Sequence, residues 1–138
     1  MRIAAVLLLL GWLVVAAVMT LTPAHPLPGQ VVTDNATPLL TIRIYLDNLG
    51  SPFWVGQLIG NLVLFLPFGL FGPVAVPALR RWWLVILVAL AISAGIETAQ
   101  LWIPDRSADV DDVIVNVTGA MFGFVAYRVI RLVARAPT

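Results

Sequence analysis

The stretch from Ile96 to Asn116 carries most of the side chains in this chain that could do chemistry. Five of the seven carboxylates lie in it: Glu97, Asp105, Asp109, Asp111 and Asp112. Long apolar runs lie on both sides of the stretch. If these runs span a membrane, Glu97, Gln100 and Asn116 lie in the apolar zone, where ionisable and amide groups are costly and mark functional sites. The sequence therefore predicts a polar cluster between two membrane helices.

The chemistry open to this cluster is recognition or ion binding. Arg106 could hold a phosphate group bidentately, or it could form a buried pair with Glu97 that only fastens a helix to the loop. The three aspartates Asp109, Asp111 and Asp112 could form a solvated rim or offer oxygen ligands to a divalent cation. The acidic run alone does not identify a metal site, so we predict no metal and no other cofactor.

Composition restricts the class of protein. The chain has 138 residues, of which 61% are hydrophobic and 11% are charged, whereas soluble domains carry about 25% charged residues. Its mean hydropathy is +1.00. The length suits a single domain over residues 1–138. A net charge of +1 argues against nucleic-acid binding, and the absence of cysteine excludes a disulfide, a thiolate metal site and a cysteine nucleophile.

The apolar runs predict four membrane helices, at about 3–22, 53–77, 82–103 and 113–133, because a spanning helix needs roughly 20 residues. The first loop is rich in proline, and its later part, Leu39 to Leu49, predicts an interfacial segment on the membrane. Whether that segment is helix or strand stays open, because part of it alternates with period two. The predicted fold is an all-α antiparallel bundle of four transmembrane helices in the cell membrane.

Arginine placement predicts the orientation of this bundle. Two arginines, Arg43 and Arg106, fall on one side of the membrane. The other six fall on the opposite side: Arg2, Arg80, Arg81, Arg128, Arg131 and Arg135. By the positive-inside rule both termini are cytoplasmic, and the polar cluster faces outward.

Helical spacing predicts which polar residues meet. The third helix carries a stripe at i, i+4 and i+7: Ser93, Glu97 and Gln100. The fourth helix carries another stripe: Asp112, Asn116, Gly119 and Gly123. The two glycines form a G-x-x-x-G pair that favours close helix approach, which is plain packing. Asn61 on the second helix lies about 12 Å from its outer end, at the level of Glu97.

These residues resemble a known pattern. The run from Gly60 to Gly69 is similar to the N-x-x-x-F-x-P-F-G segment of the VanZ-like family. The second half of that family's signature resembles three further pieces: Ile96-Glu97-x-x-Gln100, Arg106-x-x-Asp109-x-Asp111-Asp112 and Asn116-x-x-Gly119-Ala120-x-x-Gly123. One departure is Pro38-Leu39, where the family often has Pro-Phe, and it leaves open how the first loop docks.

The resemblance implies a small integral membrane protein of the cell envelope, and the family's namesake is associated with teicoplanin resistance. Membrane lipids are the implied partners, together with a lipid-linked cell-wall precursor or a glycopeptide. The site residues carried over are Asn61, Glu97, Gln100, Arg106, Asp109, Asp112 and Asn116. Depth and helical phase lead largely to the same set.

Four functions fit these observations. The leading hypothesis is a non-enzymatic binding protein whose outward pocket holds an amphipathic envelope lipid or a lipoglycopeptide and affects glycopeptide susceptibility. A membrane-embedded hydrolase or transferase on a lipid phosphate is an alternative, although no nucleophile–base pair stands out and no catalytic residue is predicted. A small proton-coupled exporter using Glu97 and a purely structural bundle are the remaining alternatives.

Overall fold

The computed structural model describes residues 2–23 and 34–134. The helices, in chain order, are α1 (Arg2–Leu21), α2 (Leu40–Asp47), α3 (Pro52–Ala75), α4 (Trp82–Gln100) and α5 (Val110–Val133), with a short 3₁₀ helix, Pro77–Arg80, before α4. All except α2 and the 3₁₀ helix are long and apolar enough to cross a membrane. The predicted all-α bundle of four spans is confirmed, and the first-loop segment predicted to be interfacial is helical. Arg135 and the proline-rich residues 24–33 lie outside the described residues.

Two helix boundaries differ from those predicted by three residues, and each difference has a local cause. Helix α4 ends at Gln100, because the next residues form tight turns ahead of Pro104, with Trp102 N–H bonded to Ala99 O at 3.1 Å. Helix α5 begins at Val110, three residues earlier than predicted, because Asp109 caps it.

The closest helix pair is α3 with α5, which run parallel and are joined through α4. A Cβ atom on Gly119 would overlap the backbone oxygen of Leu62, and one on Gly123 would overlap that of Leu66. On the facing helix, a Cβ atom on Gly69 would overlap the Ala120 carbonyl in the same way. The close approach predicted from the glycine pair is therefore confirmed, and each helix lacks a side chain where the other's backbone comes nearest.

The aromatic core lies between α1 and α3. The ring of Trp12 lies 5.5 Å from both Phe65 and Phe68, edge-on to the first and stacked on the second. The indole N–H donates to the Leu64 carbonyl. Helix α4 packs mainly on α5. Helices α3 and α5 form the centre of the bundle, and α4, which also contacts α1, adds its own polar residues beside those of α3 and α5.

The alternating direction of the four spans gives the bundle two chemically different ends. The acidic end contains the last turns of α1 and α4, the first turns of α3 and α5, α2 and the loop 101–109. The basic end contains the opposite helix termini and the 3₁₀ helix. Arg2 Nε donates to the Ala75 carbonyl at 3.0 Å, which joins the start of α1 to the end of α3 at the basic end.

Candidate functional site

Asp109 connects three parts of the acidic end. Its carboxylate accepts the Asp111 N–H at 2.8 Å and thereby caps α5. The same carboxylate accepts the Asn35 side-chain amide at 2.9 Å and the Thr41 hydroxyl at 2.5 Å. A short backbone pairing runs alongside, with Asn35 N–H bonded to Ala108 O at 2.9 Å. Asp109 therefore attaches the first loop to the start of α5.

Asp111 is the most completely buried carboxylate of the described residues, with no exposed surface. Its two oxygens accept backbone N–H groups of Leu39 at 2.6 Å, Thr41 at 2.7 Å and Ile42 at 3.1 Å. These are the free donors at the start of α2, whose own cap residue Leu39 supplies no side-chain acceptor. Asp111 thus caps α2 from another helix. The solvated-rim interpretation is wrong for this residue, and the docking of the first loop that Pro38-Leu39 left open is made by this carboxylate.

Glu97 also binds backbone rather than arginine. It is 8% exposed, and its Oε2 accepts the Asp109 N–H at 2.7 Å. Arg106 donates instead to the end of α1, to the Thr22 carbonyl at 2.9 Å and to the Met19 carbonyl. Between these two described residues there is no ion pair. Glu97 therefore attaches α4 to the loop, as the alternative of a Glu97–Arg106 pair also predicted. Its partner, however, is the main-chain N–H of Asp109.

The amide side chains of Gln100 and Asn116 each use their donor and leave their acceptor free. Gln100 Nε2 donates to the Thr20 carbonyl at 3.0 Å, and Asn116 Nδ2 donates to the Ser93 hydroxyl at 2.9 Å. Both residues are more than nine-tenths buried. Three buried oxygens of the acidic end have no hydrogen-bond partner in the described part of the chain: Gln100 Oε1, Asp112 Oδ1 and Asn116 Oδ1.

Asp112 belongs to this acceptor-rich group. It is half-buried, and the Asn61 side chain lies beside its carboxyl group. Asp112 and Asn116 are one turn apart on α5, and Glu97 lies close enough to Asp112 for their charges to interact. We call the residues Asn61, Glu97, Gln100, Asp112 and Asn116 the polar cluster. Because the amide donors of Gln100 and Asn116 are already used while three oxygens have no partner, the polar cluster has more free acceptors than free donors.

Tyr45 is a member of the site that the sequence did not indicate. It is 5% exposed, and its ring packs 5.9 Å from that of Trp54. Burial, followed by the negative charges of Asp112 and Asp109, raises the pKa of Tyr45 above its ordinary value, so its hydroxyl stays protonated. Helix α2 therefore brings a permanent O–H group to the carboxylates. The pattern of residues 39–49 predicted only an apolar segment at the interface, and nothing in it singled out one tyrosine.

The seven residues predicted for the site fall into two groups. Five of them form the polar cluster. The other two are already hydrogen-bonded within the fold. Asp109 caps α5, and Arg106 donates to carbonyl groups at the end of α1. Within residues 2–23 and 34–134 no group of three or more histidine, cysteine or carboxylate side chains is arranged to hold a metal ion. The oxygens of Asp111 and Asp109 face N–H and O–H donors instead.

Comparison with known proteins gives one match. A family model described as VanZ/LLP1 matches residues 4–131 of the chain, which includes nearly all of the four spans and every residue of the polar cluster. No curated protein and no solved structure gives a significant match.

Proposed function

The chain belongs to the VanZ-like family, and from that premise we propose that its polar cluster binds the headgroup of an amphipathic cell-envelope molecule. The molecule is a membrane lipid, a lipid-linked cell-wall precursor or a lipoglycopeptide. It reaches the cluster from the outer side of the membrane. Binding requires no covalent step, so the protein acts as a receptor or sequestering factor rather than as an enzyme.

The observation that carries this proposal is the set of three buried acceptors without donors. An unpartnered polar atom in an apolar environment costs roughly 1–3 kcal/mol, so native proteins keep few of them. Here Gln100 on α4 contributes one, and Asp112 and Asn116, one turn apart on the adjacent helix α5, contribute the other two. Protein atoms cover all three oxygens, so a bound group that supplies N–H or O–H donors would recover that energy when the polar cluster opens to admit it.

The same observation defines the chemistry of the headgroup. Acceptor oxygens and the carboxylates of Glu97 and Asp112 favour an ammonium group or several hydroxyls, and they disfavour a bare phosphate. Arg106 is the arginine nearest in sequence, and it already donates to the end of α1. The part of the ligand recognised here is therefore the amine or sugar portion.

The distribution of charged residues supports an outward position of the polar cluster. Five of the described arginines lie at the basic end, and all seven side-chain carboxylates lie at the acidic end. The positive-inside rule then favours a cytoplasmic basic end. An outward cluster meets lipids of the outer leaflet and antibiotics that act there, which supports an effect on glycopeptide susceptibility.

Thermal unfolding of the full chain in detergent tests the proposal. Phosphatidylethanolamine is compared with phosphatidylcholine of the same acyl chains, because only the former has ammonium N–H donors. We expect the ethanolamine lipid alone to stabilise the protein, by about 2.7 kcal/mol at a ligand concentration one hundred times Kd. Teicoplanin serves as a second probe, since it presents both amine and sugar hydroxyl groups.

The double variant Glu97→Gln with Asp112→Asn should abolish this stabilisation. The glutamine amide would keep an oxygen for the Asp109 N–H, so the variant should still fold. Asp47→Asn is the matched control, because it removes a carboxylate from an exposed position at the same end. Equal stabilisation of the wild type by both lipids would show that the acyl chains alone are responsible and would refute recognition by the polar cluster.

A further inference from the structure

A second site lies at the basic end, on the opposite side of the bundle from the polar cluster. An open cleft of about 250 Å³ lies between the 3₁₀ helix and the last turns of α5. Its lining is basic, aromatic and apolar: Arg80, Tyr127, Arg128, Arg131 and Leu132. Asp112 and Arg128 are 16 residues apart on α5, so the cleft lies about 24 Å from the polar cluster along the helix.

We propose that this basic cleft binds the phosphate group of an anionic membrane lipid. Three arginines line one cleft, and each guanidinium has up to five N–H donors suited to phosphate oxygens. All seven side-chain carboxylates lie in residues 34–112, in segments of the acidic end, so none of them neutralises these arginines.

Two of the arginines are held in place by their neighbours. Arg131 donates to the Tyr127 hydroxyl at 2.7 Å and lies 5.9 Å from the centre of its ring. Arg80 Nε points to the Pro73 carbonyl at 3.4 Å. That carbonyl is free because the residue four positions later, Pro77, has no N–H to donate. Each contact uses one guanidinium N–H and leaves the others free for phosphate oxygens. Because the two side chains are already ordered, they lose less conformational entropy when the phosphate binds.

The surroundings of the cleft favour a lipid over a soluble phosphate. Leu132 lines the cleft and is 66% exposed, so it offers apolar surface beside the arginines. Trp82 and Trp83 are also largely exposed at this end and suit the aromatic belt that marks headgroup depth. A lipid would place its phosphate among the arginines and its acyl chains against the apolar side of α5.

Native mass spectrometry of the full chain in detergent tests this proposal. Phosphatidylglycerol is compared with phosphatidylcholine of the same acyl chains, and inorganic phosphate is added in a third arm. We expect preferential retention of phosphatidylglycerol. Arg128→Gln and Arg131→Gln should each weaken it roughly tenfold, the value of one charge-assisted hydrogen bond. Tyr127→Phe keeps every charge and the ring but removes the hydrogen bond to Arg131, so it should give a smaller loss.

Arg81→Gln is the matched control, because it removes the same charge from the same end without altering the cleft lining. If Arg81→Gln weakens binding as much as Arg128→Gln, the attraction is a general surface charge and the basic cleft is not a site. An effect of inorganic phosphate without one of phosphatidylglycerol would overturn the lipid assignment. Glu97→Gln should leave phosphatidylglycerol retention unchanged, so this site and the polar cluster are tested separately.

Discussion

The acidic and basic ends of the bundle use their charged side chains in different ways. At the acidic end, Asp109, Asp111 and Glu97 accept main-chain N–H groups from other residues of the loops and helix starts. At the basic end, Arg80 and Arg131 make one side-chain hydrogen bond each and retain several donors that open into a cleft. Most of these carboxylates therefore hold segments of the fold together through hydrogen bonds. Arg80 and Arg131 instead keep donors that an external partner can reach.

The difference follows from the groups that each end must satisfy. The acidic end contains the starts of α2, α3 and α5, where helix N–H groups lack partners, and carboxylates are the natural acceptors for them. The basic end likewise contains the starts of two long helices, α1 and α4, so the difference between the ends is α2, whose free N–H groups Asp111 accepts. A high density of charged side chains at one end is therefore not by itself a binding surface, because those side chains can be hydrogen-bonded to main-chain groups of the fold. The acceptors left over are those of the polar cluster, and they are the ones to which we assign the proposed ligand.

The strongest test of this comparison is removal of the Asp111 carboxylate. Asp111→Ala should leave three backbone N–H groups at the start of α2 without an acceptor, and we expect a loss of about 3 kcal/mol in unfolding free energy. Thermal unfolding in detergent measures the loss, and faster trypsin cleavage at Arg43 reports the release of α2. If Asp111→Ala has the same unfolding free energy as the exposed control Asp47→Asn, the hydrogen bonds from α2 to Asp111 do not stabilise the acidic end.

A smaller effect is expected when one arginine from each end is compared. Arg106→Ala removes two hydrogen bonds to the last carbonyls of α1, a favourable position for a cation, and should cost about 1.5 kcal/mol. Arg128→Ala should change stability by no more than about 0.5 kcal/mol, because Arg128 is exposed. Chemical unfolding of both variants in the same detergent measures the difference. Equal losses would mean that the two ends use arginine alike.

The smallest effect at neutral pH is expected for Tyr45→Phe. The raised pKa of Tyr45 means that the folded protein holds this proton more tightly than the unfolded chain, whose tyrosine ionises near 10.0. Its contribution is complete below that pH and is lost as the pH rises above it. An alkaline series of unfolding measurements should show a shallower decline for Tyr45→Phe than for wild type. Parallel curves would indicate that the tyrosine is neither buried nor close to the carboxylates.

Much of the polar cluster could be predicted from the chain alone. Apolar runs of membrane length set the four spans, and residues four or seven apart on a helix share one face whatever surrounds it. That rule predicts that Glu97 and Gln100 share one face with Ser93, and that Asn116 shares one with Asp112, while their similar depth predicts that the two faces meet. The glycine pair on α5 likewise predicts a close helix contact without identifying its partner, Leu62.

The tertiary structure decided which charged groups are hydrogen-bonded within the fold and which retain a free donor or acceptor. Asp109, Asp111 and Asp112 are nearly adjacent and chemically identical, yet one caps its own helix, one caps α2 and one retains an unpartnered oxygen. The outcome depends on where residues about 70 positions earlier donate their N–H groups. Arg106 and Tyr45 acquire their roles in the same way, by packing between segments distant in sequence. A sequence lists the donors and acceptors of a protein, but only the fold pairs them.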